Sequence, residues 1–142
     1  MSDSKAKYSS GAATQRTLAQ LDAELKRKLD RAAERTAEYH KNWQAVNLND
    51  IVERFAKGSS PVLSGSKIIF QSKGSPIQVV CDVRGGYCRL KDTRIKSGRR
   101  QYLDINGHNA SNKVTATGKQ AGRSQSEYNE VTHFRILKRE EM

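Results

Sequence analysis

Apolar residues in the first third of the chain recur every three or four positions, which is the period of a helix. They are Leu18, Leu21, Leu25, Leu29, Ala32, Thr36, Tyr39 and Trp43. Residues with high helix propensity, chiefly alanine, leucine, glutamate, lysine and arginine, dominate the same segment. The pattern predicts one helix over residues 14–42.

A second, shorter helix is predicted directly after the first. Asn49 can cap its N-terminus, because the asparagine side chain accepts hydrogen bonds from free helical N–H groups. The spacing of Ile51, Val52 and Phe55 would then turn their side chains inward. Gly58 would follow the end of this helix.

Beyond residue 58 the pattern changes to that of strands, with β-branched and aromatic residues between glycine- and serine-rich turns. The predicted strands are 67–72, 77–83, 87–93, 100–105 and 130–138. The segment 108–126 has almost no large apolar residue, so it is predicted to be a long basic loop. A helical turn over 124–129 would precede the last strand.

This order of elements predicts the α+β class, with N-terminal helices packed on a small antiparallel β-sheet. The 142 residues fit one domain. Its expected parts are a disordered or linker segment at 1–13, a helical region at 14–57 and a basic β-sheet core at 58–142. The sequence has no apolar run long enough for a membrane-spanning helix, and its start lacks the apolar core of a secretory signal.

The net charge of +11 is concentrated in the second part of the chain. Residues 57–142 contain 16 Lys and Arg against 7 Asp and Glu, a net of +9, whereas residues 1–56 contain 10 against 8, a net of +2. Such a field favours a polyanion, most simply nucleic acid. An anionic membrane surface and an acidic protein partner remain open.

The two cysteines, Cys81 and Cys88, flank a predicted hairpin turn. A two-residue turn at Gly85-Gly86 would place Cys81 opposite Leu90, so the two cysteines would be diagonal neighbours, about 7–8 Å apart. That separation is long for a disulfide, so both are interpreted as small buried hydrophobic residues.

Several enzyme motifs are absent from the sequence. It has no glycine-rich nucleotide fingerprint and no GxSxG, and its histidines, His40, His108 and His133, have no metal-binding spacing. The stretch "DINGHN" (104–109) could indicate a metal-dependent HNH nuclease. An Asn-Gly turn after a strand explains it better.

The block "GRSQSEYNEVTHFRI" contains six side chains suited to phosphate and proton chemistry. They are Arg123, Ser124, Tyr128, Thr132, His133 and Arg135. Metal-free RNA cleavage needs a base, an acid and cations for the charge on phosphorus, and His133 could serve as the base or the acid. Arg123 and Arg135 could hold phosphate. Tyr128 could contact RNA or be a half-buried anchor, and His133 could instead be a solvent-facing strand residue.

Other cations and aromatic residues are candidates for RNA contacts. The segment "RIKSGRR" contributes Arg94, Lys96, Arg99 and Arg100, which either contact phosphates or form a solvated basic turn. Tyr87 and Tyr102, on adjacent predicted strands, could be stacking platforms or packing residues.

The run over residues 43–136, above all the blocks "YLDINGHNASN" and "GRSQ-EY--VTHF", resembles the C-terminal toxin domains of bacterial contact-dependent inhibition and polymorphic toxin systems. The resemblance implies the barnase/EndoU/colicin/RelE-like ribonuclease superfamily, in which N-terminal helices lie against a small antiparallel sheet and many members cut tRNA without a metal. The large delivery region usual in such proteins is absent from this chain.

By this resemblance His133 is expected to be the general base or acid, Arg123 to stabilise the phosphate, and Tyr128 and Thr132 to position the substrate. The expected RNA-binding residues are Gln125, Arg135, Arg94, Lys96, Arg99, Arg100 and Lys119. No metal and no cofactor is expected.

The expected function is that of an antibacterial toxin domain acting as a metal-independent endoribonuclease on tRNA, by 2′-hydroxyl attack on the adjacent phosphate. An acidic immunity protein is the expected partner, and a larger export protein would deliver the domain to the target-cell cytoplasm. The alternatives are a non-catalytic RNA- or ribosome-binding module and a metal-dependent DNase toxin.

Overall fold

The computed structural model describes residues 23–137 of the chain. The predicted linker 1–13, the first part of the predicted long helix (14–22) and the last residues, 138–142, lie outside the described residues. Within the described range there are three helices and nine strands. The helices are α1 (Ala23–Tyr39), α2 (Leu48–Phe55) and α3 (Gln125–Thr132).

The strands are short and fall into two sheets. They are β1 (Gln44–Val46), β2 (Val62–Ser64), β3 (Lys67–Phe70), β4 (Ile77–Asp82), β5 (Tyr87–Asp92), β6 (Tyr102–Leu103), β7 (Asn112–Val114), β8 (Gln120–Gly122) and β9 (Phe134–Ile136). The large sheet has the order β1-β9-β5-β4-β3-β2, and β6 also pairs with β5. Only β1 and β9 are parallel in it. The predicted α+β class with a mostly antiparallel sheet is confirmed.

The hydrophobic core lies on one face of the large sheet. On β5 the core side chains Cys88 and Leu90 are fully buried. The residues that alternate with them, Tyr87, Arg89 and Lys91, are partly exposed. The core joins helical and strand residues: Leu29, Leu48, Ile51, Val52, Ile68, Phe70, Val79, Cys81, Cys88, Leu90, Phe134 and Ile136. The opposite side of the sheet is called the open face and carries Lys67, Ile69, Val80, Asp82, Tyr87, Arg89, Lys91, Tyr102 and Arg135.

Helix α1 passes close to the turn between β4 and β5. Gly86 has φ +71°, and a Cβ there would lie 2.5 Å from the backbone carbonyl of Ala32. A residue with a side chain would therefore combine a strained backbone with a clash. Nearby, Nη2 of Arg35 donates to the carbonyl oxygen of Arg84 at 3.0 Å. Gly86 thus permits the close approach between α1 and this hairpin.

The structure corrects the predicted ends of the helices. The first helix ends at Tyr39, so Trp43 lies in the following turn and not on a helical face. A strand that was not predicted, β1, follows this turn. The N-cap of α2 is Asn47, whose side chain accepts the N–H of Asp50, and not Asn49. Asn47 lies in extended conformation directly after β1, which is the geometry a cap residue requires.

The predicted long loop and last strand are also corrected. The loop contains the β7–β8 hairpin. Helix α3 continues to Thr132 and leaves only three residues for β9, because Ser124 and Glu127 form a capping box that starts a full helix. The Lys113 ammonium and the Ser124 backbone hold the pKa of Glu127 at about 2. Val131 lies within this helix and is not a strand residue.

The register of the β4–β5 hairpin differs from the predicted one. Four residues form the turn, because the Asp82 carboxylate accepts the Gly85 N–H at 2.8 Å and the Asp82 carbonyl accepts the Gly86 N–H at 2.9 Å. Cys81 therefore lies directly opposite Cys88 and not opposite Leu90. Both thiols are free and buried, as predicted, and the neighbouring thiol and burial raise the pKa of Cys81. No helix within residues 23–137 is long and apolar enough to cross a membrane.

Candidate functional site

The candidate site lies on the open face, where the sheet register aligns polar side chains from several strands. Asp82, Tyr87 and Arg135 are directly opposite one another on β4, β5 and β9. His133, two residues before Arg135 in the chain, directly follows α3 and lies beside Arg89 of β5. Directly opposite residues of a sheet project to the same side. This arrangement brings together His133, Arg135 and Tyr87, which were candidates from the sequence, and adds Arg89.

Two aromatic rings from two segments contact the ring of His133, and a third ring stacks on one of them. The His133 ring centroid is 4.6 Å from that of Trp43 and 4.9 Å from that of Tyr87. Trp43 also stacks on His40 at 3.6 Å with a 9° interplanar angle, and its ring meets the Tyr87 ring edge-on at 5.5 Å. The ring of His133 is therefore held by packing on both the turn before β1 and strand β5.

The protonation state of His133 follows from its hydrogen bond and its surroundings. Nδ1 lies 2.8 Å from the carbonyl oxygen of Asn129, which can only accept, so we assign the proton of the neutral ring to Nδ1. Burial and, next, the positive charge of Arg89 lower the pKa of His133 to about 4. At neutral pH the imidazole is uncharged and Nε2 presents a lone pair, as a general base requires.

Two guanidinium groups on the open face have unmet hydrogen-bonding capacity. The Nε atoms of Arg89 and Arg135 are buried, and neither has a hydrogen-bond partner among the described residues. Burial lowers the pKa of Arg89, and its guanidinium carbon lies 3.4 Å from the ring centroid of Tyr102. A buried polar group without a partner is unfavourable. Neither side chain donates a hydrogen bond to the described residues, so the charge of both groups is available to an anion such as a phosphate.

Tyr87 can supply a proton at the same place. Its hydroxyl lies 3.4 Å from Oδ2 of Asp82, and burial followed by the charge of Asp82 raises the pKa of Tyr87. The phenol therefore stays protonated at neutral pH. Because the other carboxylate oxygen of Asp82 accepts the N–H of Gly85 at 2.8 Å, the turn holds this carboxylate in position.

Arg123 and Tyr128, two of the predicted catalytic residues, belong to a different group of side chains. Nη1 of Arg123 donates to the carbonyl of Ala110 at 3.1 Å, and Nη1 of Arg100 donates to the carbonyl of Arg123 at 2.9 Å. The Tyr128 hydroxyl accepts the backbone N–H of Tyr102 at 2.9 Å, and the Arg100 guanidinium lies 4.6 Å from the Tyr128 ring centroid. This structural cluster of Arg100, Arg123 and Tyr128 connects α3 to β6 and to the segment before β7.

Two residues predicted to contact the substrate have little or no exposed surface. Tyr128 is only 3% exposed, which is more buried than the half-buried anchor considered for it and leaves little ring surface for a base. Thr132 has no exposed surface, and its hydroxyl donates to the carbonyl of Tyr128 at 2.7 Å within α3. The Thr132 hydroxyl therefore presents no surface to a substrate in this structure, and its positioning role stays a prediction.

The remaining predicted RNA-binding residues are spread over separate surfaces. Arg94 forms a two-fold hydrogen bond to Asp92, at 3.0 Å for both contacts, which lowers the pKa of Asp92. Gln125 is exposed at the start of α3 and donates to Asn129 at 2.9 Å. Lys96, Arg99 and Lys119 are exposed in turns.

Arg89 and Trp43 are site residues that the sequence prediction missed. A signal for Arg89 was present, because "YCRLKD" alternates and places Arg89 beside Tyr87 on the polar side of β5. Trp43 had been assigned to the face of the long helix. Because α1 ends at Tyr39, Trp43 is not part of the helix and lies next to the sheet.

The segment "DINGHN" forms a turn, as interpreted from its sequence. Oδ1 of Asp104 accepts the N–H groups of Asn106 and His108 at 2.9 and 3.0 Å, and Gly107 has φ +81°. Within residues 23–137, no three His, Cys, Asp or Glu side chains come together in a way that could hold a metal ion.

Comparisons of the chain with protein-family models, with curated proteins and with solved structures found no significant match. The function is therefore argued from the geometry and chemistry of the open face.

Proposed function

We propose that the open face around His133 is the active site of a metal-independent endoribonuclease. One observation carries the proposal: a neutral histidine, whose Nε2 has no hydrogen bond to the described residues, lies beside Arg89 and Arg135, whose guanidinium groups form no hydrogen bond or salt bridge with those residues. A base next to two cations that need an anion suits cleavage at a phosphate. The net charge of +9 over residues 57–142 supports a polyanionic substrate.

In the proposed reaction the 2′-hydroxyl oxygen attacks the adjacent phosphorus while Nε2 of His133 accepts its proton. The bond from phosphorus to the 5′ oxygen breaks, and the Tyr87 hydroxyl gives its proton to that leaving oxygen. The products are a 2′,3′-cyclic phosphate and a 5′-hydroxyl. The His133 proton returns through water to the Tyr87 phenolate, so protons balance over the cycle.

The other side chains of the site would bind charge and bases. Arg89 and Arg135 would neutralise the negative charge that grows on the phosphate oxygens in the transition state. The Trp43 ring already stacks on His40 and His133, so its role is to fix the histidine. Tyr102, which carries the Arg89 guanidinium over its ring, is the aromatic residue on which an RNA base can stack, a contact that is tolerant of sequence. Stacking does not read a particular base, so the site favours exposed, single-stranded nucleotides.

We further propose that the enzyme is an antibacterial toxin domain that acts on tRNA in the cytoplasm of a target cell after delivery by a larger protein. The resemblance of residues 43–136 to bacterial toxin domains supports this role. An acidic immunity protein that covers Arg135 and the Arg94–Arg100 loop would block the substrate by occupying the same cations. Expression of the chain alone in bacteria should stop growth; harmless accumulation would contradict the toxin role.

The direct test is incubation of the protein with total tRNA and with plasmid DNA in EDTA. Discrete RNA fragments that end in a 2′,3′-cyclic phosphate are expected, with intact plasmid. RNA binding without cleavage in any buffer would instead make the chain a non-catalytic RNA-binding module. Plasmid nicking that requires magnesium would identify a DNase and would overturn the proposal.

A further inference from the structure

A second basic surface lies at the end of the sheet where α1 crosses the hairpins. It is a cleft of about 700 Å³ between α1, the β2–β3 turn and the β4–β5 turn. Five of its lining residues are cationic: Lys28, Arg31, Arg35, Lys67 and Arg84. None of the described residues that line the cleft is acidic.

The cations reach the cleft from three separate parts of the chain. Lys28, Arg31 and Arg35 are three and four residues apart, which places them along one side of α1. Lys67 begins β3 and Arg84 lies in the β4–β5 turn. Gly86 allows α1 to approach this turn, so the two groups of cations face the same space.

Much of this charge is available to a ligand. Arg31, Lys67 and Arg84 are exposed, and none of them forms a salt bridge within residues 23–137. Arg35 donates to the backbone carbonyl of Arg84, a contact that does not neutralise its charge. Acidic side chains do occur nearby: Asp82, on β4, lies directly opposite Lys67.

Lys67 connects the cleft to the row of open-face residues that leads to the candidate active site. Lys67, Asp82, Tyr87 and Arg135 are directly opposite one another across four adjacent strands and project to the open face. Because neighbouring strands lie about 4.8 Å apart, Lys67 is about 10 Å from Tyr87 and about 14 Å from Arg135. One extended polyanion can therefore contact the site at His133 and then enter the cleft.

We infer that this cleft is a second RNA-binding site, which holds the sugar–phosphate backbone of a folded RNA beyond the nucleotides bound at His133. The inference rests on the proposed function and deepens it. The cations are lysine and arginine, and no aromatic ring lines the cleft among the described residues, so phosphates and not bases are the groups that it fits. The preferred substrate is then a structured RNA that spans both sites, and a dinucleotide uses only one of them.

The first experiment measures binding of a synthetic hairpin RNA that carries 2′-O-methyl groups throughout, because this RNA has no nucleophile and stays intact. The combined variant Arg31→Ala/Lys67→Ala/Arg84→Ala is compared with the wild type over a range of salt. Each lost phosphate contact should reduce the slope of log K against log salt by about 0.7–0.9, and the affinity should fall about tenfold at low salt.

A single substitution in the cleft, Lys67→Ala, is compared with a matched control outside the cleft, Lys57→Ala. Both lysines are exposed, and Lys57 instead pairs with Glu53 at the end of α2, outside the cleft. Lys67→Ala should lower the salt slope and Lys57→Ala should leave it unchanged. Equal behaviour of these two variants, or an unchanged slope for the combined variant, would overturn the second site and leave the cleft to another anionic ligand.

Cleavage of a dinucleotide separates this inference from the proposed function. The combined variant should cleave the dinucleotide at the wild-type rate and should lose kcat/KM only on tRNA. If the wild type cleaves neither the dinucleotide nor any other RNA, the proposed function fails, whatever the binding data show. If the combined variant cleaves both substrates like the wild type, only the second site fails. Melting curves of the exposed-residue variants confirm that they are folded.

Discussion

Two pairs of partly buried arginines differ in what their guanidinium groups do. Arg100 and Arg123 donate to backbone carbonyls at 2.9 and 3.1 Å and lie close to α3. Arg89 and Arg135, on the open face, each keep a buried Nε without a hydrogen-bond partner among the described residues. Arg123 and Arg135 both lie near His133 in the sequence, but only Arg123 has a donor bonded to a carbonyl. Nearness to His133 in the sequence therefore does not decide which arginine can bind an anion, because a donor that is already bonded is not available to it.

The physical consequences of the two arrangements are opposite. A satisfied buried hydrogen bond contributes about 0.5–1.5 kcal/mol to stability, whereas an unsatisfied donor costs about 1–3 kcal/mol. The structural cluster therefore stabilises the fold. The open face retains an unfavourable arrangement, two buried donors without a partner among the described residues, which is a common feature of functional sites.

The largest expected effect comes from removing the base. His133→Ala should lower RNA cleavage by about 10²–10⁴-fold, the usual contribution of a general acid or base. The matched control is His108→Ala, because His108 is exposed in the turn after β6 and has no role in the proposed reaction. A His133→Ala protein that is folded by circular dichroism and cleaves RNA at the wild-type rate would exclude His133 as the base.

The next effect tests the two arginine pairs directly. Arg135→Met should lower kcat by about 10²–10³-fold, as expected when a donor to a transition-state oxyanion is removed. Its melting temperature should change little, because the Nε of Arg135 has no hydrogen bond to lose.

Arg123→Met should show the reverse pattern. Loss of its donor leaves the carbonyl of Ala110, a fully buried residue, without this partner, and the free energy of unfolding should fall by about 1–3 kcal/mol. The activity of the folded fraction should be unchanged. If Arg123→Met loses activity and Arg135→Met loses stability, the distinction between the pairs is wrong and Arg123 regains its predicted catalytic role.

The smallest effect concerns pH. The pKa of His133 is about 4 in the folded protein against an ordinary value of 6.5, so the unfolded chain binds more protons between these values. The contribution of His133 to stability is therefore fully present above pH 6.5 and is lost as the pH falls toward 4. The groups that act on this titration are Arg89 and His40, which disfavour the proton, and the Asn129 carbonyl, which favours it.

The measurement is the difference in melting temperature between the wild type and His133→Ala, which should shrink or reverse between pH 6.5 and 4. The acid limb of kcat/KM should lie near pH 4, because this parameter reports the free enzyme. An acid limb near 6.5 would show that His133 is not held in the environment described here.

Local pattern was enough to predict several features of the fold. The helical period predicted α1 and α2, and alternation with turn residues predicted β3, β4 and β5, since neighbouring residues decide these features. Boundaries were less accurate. The capping box at Ser124 and Glu127 extended α3 over residues that alternate like a strand, and a four-residue turn moved Cys81 opposite Cys88.

What the sequence by itself determined is the α+β class, the concentration of positive charge from residue 57 onward and the presence of a histidine among arginine, serine, threonine and tyrosine side chains. Only the tertiary structure decided which of those side chains meet. Trp43, Tyr87 and His133 are far apart in the chain, and the sheet brings their rings within 4.6–5.5 Å of one another. Whether an arginine keeps a free donor depends on carbonyls supplied by distant segments, which no local period records.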